Sequence, residues 1–78
     1  MRIQYAPEEL AEAEEMGLAP FHRYNEEEAA VVLGLDIVRL RHLIVLGELK
    51  KVHSRGHNFI IGAELARWRR NTRLANTK

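Results

Sequence analysis

The chain has 78 residues, which is enough for one small domain but too few to enclose a deep catalytic cavity. Hydrophobic residues make up 46% and charged residues 29%, a balance typical of a folded globular domain rather than of a disordered segment. The absence of cysteine excludes disulfides, thiol chemistry and cysteine-ligated zinc. The longest apolar stretch is far shorter than a membrane span, and acidic residues follow Pro7 where a signal peptide would be apolar, so we expect a cytoplasmic protein.

Charge is distributed unevenly along the chain. Residues 1–30 carry eight Glu against two Arg, whereas residues 31–78 carry ten Lys or Arg against three acidic residues. An acidic half and a basic half in one small domain indicate either an anionic partner for the basic half or two solvated faces that partly neutralise each other. The charge pattern alone leaves both interpretations open.

The first predicted helix covers about residues 7–16. Proline is favoured at the first helical position, the Glu residues that follow complement the positive end of the helix dipole, and Gly17 closes the helix. The apolar stripe of this helix is thin, so the helix must pack on another element. We interpret its acidic run as a solvated face.

Two closely spaced helices are the best-specified part of the sequence. Asn25 with Glu28 three residues later is typical of a capping box, and Gly34 ends the first helix because glycine tolerates a left-handed backbone. Asp36 then caps a second helix over about residues 36–46. Its apolar residues have the i, i+3, i+4, i+7 spacing of a buried stripe: Ile37, Leu40, Leu43 and Ile44.

A β-hairpin and a closing helix are predicted for the rest of the chain. The hairpin covers about residues 49–61 around a polar, glycine-containing turn at 54–57 (SRGH). Helical spacing returns after Gly62 and places Leu65 and Trp68 where they can dock on the core. The arginines of this helix are expected to point into water: Arg67, Arg69 and Arg70.

Three segments of the sequence resemble the excisionase-like and MerR-like family of winged helix-turn-helix proteins. Residues 24–36 (YNEEEAAVVLGLD) are similar to the opening of that fold, and residues 40–49 (LRHLIVLGEL) to its recognition helix and the start of its wing. Residues 60–68 (IIGAELARW) are similar to its closing strand and helix. The resemblance covers about residues 24–69.

The resemblance implies a fold class and a domain organisation. The expected fold is α+β and mostly helical: a small winged helix-turn-helix with a two-stranded wing and an added N-terminal acidic helix. An N-terminal extension with the acidic helix would occupy residues 1–23, the DNA-binding domain residues 24–70, and a basic flexible tail residues 71–78.

Family members act as phage excisionases or as small transcription regulators, so the resemblance implies sequence-selective binding of duplex DNA. We expect a recombination directionality factor or a small transcription regulator, without enzymatic activity, cofactor or metal. The expected partners are double-stranded DNA, an integrase or recombinase, and further copies of the protein bound cooperatively on DNA. The alternative is a protein-interaction adaptor that uses the apolar Val38/Val45 face of the same scaffold.

The positions that match DNA-facing residues of the family lie on the recognition helix and on the wing. On the helix they are Val38, Arg39, Arg41 and His42; on the wing they are Lys50, Lys51, Arg55, His57 and Asn58. Arginine can make bidentate contacts to guanine, a valine methyl can lie on a thymine methyl, and a cation at a hairpin tip suits a narrow minor groove. In the alternative interpretation these are solvated cations, and those of the hairpin protect an edge strand from aggregation.

Some positions depart from the family pattern. Apolar residues stand where the family usually has polar or charged ones: Val31, Val38, Val45 and Leu46. Glu26 stands where the family commonly has an apolar residue or Thr. Surplus apolar surface on a small domain indicates a cover or a partner. We expect the N-terminal segment to be the cover, with a second copy of the protein as the other candidate; the acidic helix could instead shield the basic half from DNA.

Overall fold

The computed structural model describes the backbone of residues 5–76 and the side chains of residues 5–73. These residues form, in chain order, α1 (Pro7–Glu15), β1 (Arg23–Asn25), α2 (Glu26–Leu33), α3 (Ile37–Val45), β2 (Val52–Ser54), β3 (His57–Ile61) and α4 (Gly62–Asn76). The predicted α+β, mostly helical class is confirmed. Within the described range, no helix combines the length and apolar content that crossing a membrane requires.

The boundaries of α2 and α3 follow from the capping residues that the sequence predicts. Asn25 Oδ1 accepts a hydrogen bond from Glu28 N at 2.8 Å, and Glu28 Oε1 accepts one from Asn25 N at 3.1 Å, which completes the capping box. Gly34 ends α2 in the left-handed conformation, with φ 68°. Asp36 Oδ1 accepts a hydrogen bond from Arg39 N at 2.8 Å and caps α3.

The sheet has three antiparallel strands in the order β1-β3-β2, one strand more than the predicted hairpin. β2 and β3 form that hairpin, with Ser54 opposite His57 across a two-residue turn. β1 pairs with the other edge of β3, where Tyr24 lies opposite Ile60. The sequence does not predict β1, because three residues carry no strand pattern and their extended conformation depends on pairing with a distant segment.

A single apolar core joins the helices to the sheet. Its large fully buried side chains come from α3, from the segment before β2, from β3 and from α4: Leu40, Leu43, Leu49, Ile60 and Leu65. The predicted inner stripe of α3 is therefore confirmed, with Ile37 and Ile44 partly buried at its margins. Trp68 also packs against this core, as expected.

The N-terminal helix belongs to this core but does not cover α3. Ala13 is fully buried and Leu18 is buried in the same cluster. α1 packs on α4, whereas α3 packs on α2. The prediction that the N-terminal segment covers the surplus apolar residues is therefore wrong. These side chains remain exposed: Val31, Val38, Val45 and Leu46.

The last helix is longer than the sequence pattern suggests. α4 continues through Asn76, so residues 71–76 are helical where a tail was expected. Residues 77–78 of the predicted tail and residues 1–4 of the predicted N-terminal extension lie outside the described residues.

Candidate nucleic-acid interface

α3 has a continuous exposed face opposite its buried stripe. Val38 and Val45 lie two helical turns apart on this face, with 73% and 84% of their surface exposed. Arg41 and His42 lie between them and are exposed as well, and Arg39 is exposed beside Val38. The face therefore combines two aliphatic side chains with two guanidinium groups and one imidazole.

Packing on one side keeps this short helix in place. An isolated helix of nine residues would be marginal in water. Here Leu40 and Leu43 are fully buried, and burial of each stabilises the folded state by about 2 kcal/mol. The cap at Asp36 adds about 1 kcal/mol. α3 is thus fixed along its inner side and open to solvent along its outer side.

The hairpin between β2 and β3 has a cation at its tip in an unusual backbone conformation. Arg55 has φ 51° and Gly56 has φ 79°, so both central residues of the turn are left-handed, as a type I′ turn requires. Asn, Asp and Gly favour the first of these positions, whereas an ordinary L-residue there costs roughly 1–2 kcal/mol. The predicted turn is confirmed, and it holds an exposed guanidinium at some cost in stability.

Arg41 of α3 and the tip of the hairpin line one open cleft. Residues 56–59 of the hairpin form one wall, and residues 25–27 at the start of α2 form another. The cleft therefore brings together three predicted site residues from the two separate elements: Arg41, His57 and Asn58. α3 and the hairpin, which the sequence predicts as two parts of one site, are neighbours in space.

The other predicted residues of α3 border a second, shallow groove. Val38, Arg39 and His42 lie there together with the capping residue Asp36. All three of these predicted residues are exposed. The grooves that flank α3 thus account for all four of its predicted positions.

Within the hairpin, Asn58 and His57 differ in how freely they can contact a ligand. Asn58 is half buried, and its Oδ1 lies 2.9 Å from Nδ1 of His53 on the opposite strand. His57 is exposed and meets the ring of Phe59 edge-on, with 6.4 Å between the ring centroids. His57 is therefore the better placed of the two for a direct contact.

Glu26 forms an ion pair with Arg41 at the edge of the cleft. Its Oε1 lies 3.6 Å from Arg41 Nε, and the Arg41 side chain is 61% exposed. An exposed pair of this kind contributes at most about 1 kcal/mol, so Arg41 can exchange this carboxylate for another anion. The sequence identifies Glu26 only as a departure from the family pattern and gives no partner for it.

Glu64 is the one polar or charged side chain that is fully buried in the described part of the chain, with 1% exposed. Arg67 Nε donates to Glu64 Oε1 at 2.8 Å, and Arg67 Nη2 contacts Glu64 Oε2. Lys50 N donates to Oε2 at 2.9 Å, and the Tyr5 hydroxyl donates to Oε1 at 3.2 Å. These four contacts make a buried carboxylate tolerable, because a buried charge needs both a counter-ion and hydrogen bonds.

The Glu64 network attaches the segment before β2 to α4. Arg67 Nη2 also donates to Glu48 O at 2.9 Å, so this segment is held at two backbone groups. Lys50 and Lys51 follow with exposed side chains at the opposite end of the hairpin from Arg55. The network therefore sets the position from which the hairpin projects.

Neither partner of this buried pair was predicted correctly. The expectation that Arg67 points into water is wrong, and the sequence analysis does not single out Glu64. The hydrogen bond to Glu64 raises the pKa of Arg67, and burial, with the nearby carboxylate, raises the pKa of Tyr5. The helical spacing of the sequence does indicate that Glu64 is buried. Glu64 lies four residues before Trp68, which places both side chains on the inner side of α4.

The acidic face of α1 lies against arginines of α4. Glu12 pairs with Arg73 at 2.5 Å, and Arg70 borders the same groove as Glu8 and Glu15. Glu8, Glu12 and Glu15 of α1 thus lie beside arginines of α4, which belong to the basic half of the chain. The alternative in which the acidic helix shields the basic half therefore stays a prediction for the α4 arginines, and the structure places none of these three carboxylates against the cations of α3 or the hairpin.

Comparison with known proteins provides no relationship on which to base an assignment. No protein-family model matches the sequence, and no curated protein and no solved structure is significantly similar to it. The functional interpretation therefore depends on the residues of the site.

Proposed function

We propose that this protein binds duplex DNA sequence-selectively as a small winged helix-turn-helix domain. α2 and α3 would be the helix-turn-helix, and the β2–β3 hairpin would be the wing. The observation that carries the proposal is the juxtaposition of Arg41 on α3 with the hairpin tip around one cleft. A helix open along one side fits the major groove, about 12 Å wide, while the neighbouring hairpin reaches the adjacent backbone or minor groove.

The exposed cations have different roles in this proposal. Arg39 and Arg41 approach the major groove, where arginine pairs with guanine or clamps phosphates. Arg55 enters the minor groove from the hairpin tip. Lys50 and Lys51 contact phosphates at the base of the hairpin, where Glu64 holds the backbone of Lys50.

The resemblance to the excisionase-like and MerR-like family supports a cellular role as a recombination directionality factor or a small transcription regulator. Either role would require several copies on neighbouring sites or a protein partner such as an integrase. The fold alone does not separate these roles, because one scaffold serves many functions.

Titration of a labelled random duplex over a range of salt concentrations tests DNA binding. If each of the five cations named above neutralises one phosphate charge on the duplex, the logarithm of the association constant should fall with the logarithm of salt concentration with a slope of about −4.5. Arg55→Gln should reduce the magnitude of the slope by about 0.9. Arg69→Gln is the matched control, since it removes the same charge from an exposed position of α4. Absence of binding even at low salt would refute the proposal.

The exposed apolar residues of α3 support a second candidate function, a protein-interaction adaptor. Val38 and Val45, with Leu46 beside them, provide aliphatic surface that a protein groove could cover. In that case DNA should not bind at low salt, and Val45→Asp should abolish a protein complex that the unmodified chain forms. Steep salt dependence of duplex binding would instead favour the first proposal.

A further inference from the structure

We infer that Val38 and Val45 recognise the methyl groups of two thymines, about three base pairs apart, in the major groove. The inference rests on the proposed DNA-binding function and specifies the kind of sequence that α3 selects. It assigns a DNA contact to Val45, which the sequence predicts only as part of an apolar face for a protein partner.

The geometry of α3 gives the spacing. Two helical residues that are seven positions apart lie within about 20° of the same side of the helix. They are about 10.5 Å apart along its axis. Base pairs follow one another at about 3.4 Å, so the two side chains span about three base pairs when α3 lies along the groove. Arg41 and His42 lie between the valines and would face the bases between the two thymines.

The chemistry of the valines matches that of thymine. The C5 methyl of thymine is the apolar group that base pairs present in the major groove. Valine is β-branched and stiff at χ1, so its methyl groups keep a defined position on the helix. Both valines are largely exposed, and the described side chains leave them uncovered. Contact with thymine methyls would bury them without any rearrangement of the core.

A second copy of the chain is a poorer occupant of this face. A stable protein interface buries about 800 Å² on each partner, and its centre is depleted of charged residues. Arg39 and Arg41 border the valines, and a symmetric pair of copies would bring these guanidinium groups towards each other. Interfaces with DNA, by contrast, are strongly positively charged.

Replacing thymidine by deoxyuridine removes only the methyl group and tests the inference. Duplexes are first enriched from a random library with the unmodified protein, and one selected duplex is resynthesised with single deoxyuridine substitutions. Deoxyuridine at each contacted position should weaken binding about fourfold, and substitution at both about 15-fold. The two sensitive positions should lie about three base pairs apart.

Alanine variants connect each thymine to its valine. Val38→Ala and Val45→Ala should each weaken binding to the thymidine duplex at least about fourfold, the value for one of the two methyl groups removed, and lose the response to deoxyuridine at one position. Val31→Ala is the matched control, because Val31 is 80% exposed but lies on α2. All three side chains lie outside the core, and circular dichroism verifies that each variant unfolds like the unmodified protein.

The outcomes separate this inference from the function on which it rests. Tight duplex binding without deoxyuridine sensitivity, or with sensitive positions that the two alanine variants leave unchanged, would overturn the inference while DNA binding stands. Failure to enrich any duplex at low salt would refute DNA binding itself. The apolar face of α3 would then belong to a protein partner.

Discussion

Replacement of Arg55 by Asn should stabilise the protein and weaken its binding to DNA. Arg55 adopts φ 51° at the first central position of a type I′ turn, a conformation that costs an L-residue roughly 1–2 kcal/mol. Asn tolerates the left-handed region, and Asn followed by Gly is a favoured sequence for this turn. We therefore expect Arg55→Asn to raise the free energy of unfolding by about 1 kcal/mol.

Two measurements on the same variant test this prediction. A gain of about 1 kcal/mol should raise the thermal midpoint by about 4–8 °C in a domain of this size. Loss of the Arg55 charge from the interface should reduce the magnitude of the salt slope by about 0.9 and lower the affinity for random duplex. Arg55→Lys is the matched control, because it retains both the charge and the strained backbone and should leave the midpoint and the slope nearly unchanged.

Either measurement can contradict the reasoning independently. A midpoint that stays the same or falls in Arg55→Asn would show that the left-handed backbone at this position stores no strain. A higher midpoint with an unchanged salt slope would show that the guanidinium does not approach DNA. The second result would remove the hairpin tip from the proposed interface.

Three further predictions concern the ion pairs and the N-terminal helix. Glu26→Gln releases Arg41 from its carboxylate, so affinity for random duplex should rise up to about fivefold at low salt and less at high salt. Unchanged affinity would show that Glu26 does not compete with DNA for Arg41. Glu64→Gln leaves the Arg67 guanidinium without its buried counter-ion, so the free energy of unfolding measured with urea should fall by about 3 kcal/mol. An unchanged urea midpoint would disprove the ion pair of Glu64 with Arg67. Deletion of residues 1–18 removes part of the core and should abolish cooperative unfolding, whereas a cooperative transition would identify α1 as an accessory.

The sequence predicts those parts of the fold that near neighbours determine. Asn25 and Glu28 cap α2 from within one turn, and Asp36 caps α3 in the same way. The hairpin turn depends on Gly56 and the residue before it. Each of these structures involves only a few adjacent residues, so their residue types are a sufficient signal.

Contacts between distant segments explain what the sequence does not predict. β1 becomes a strand only by pairing with β3. Helical spacing puts Glu64 on the inner side of α4, but its partners there, the Tyr5 hydroxyl and the backbone of Lys50, come from distant segments that the spacing does not reveal. The exposure of the α3 valines likewise depends on α1, which packs on α4 instead.

The proposed function requires that a chain with a formal net charge of only +1 attract DNA, and the distribution of ion pairs bears on how it would do so. Glu12 pairs with Arg73 on α4, and buried Glu64 pairs with Arg67, so much of the acidic charge is balanced on the α4 side. Among the described cations of α3 and the hairpin, the structure shows a carboxylate partner for Arg41 alone, in its weak pair with Glu26. Glu26 and Glu27 line the cleft beside Arg41, so the cations that remain to orient the protein towards phosphates before contact are Arg39 on α3 and those at the two ends of the hairpin. The association rate should depend on this separation of charge rather than on the net charge.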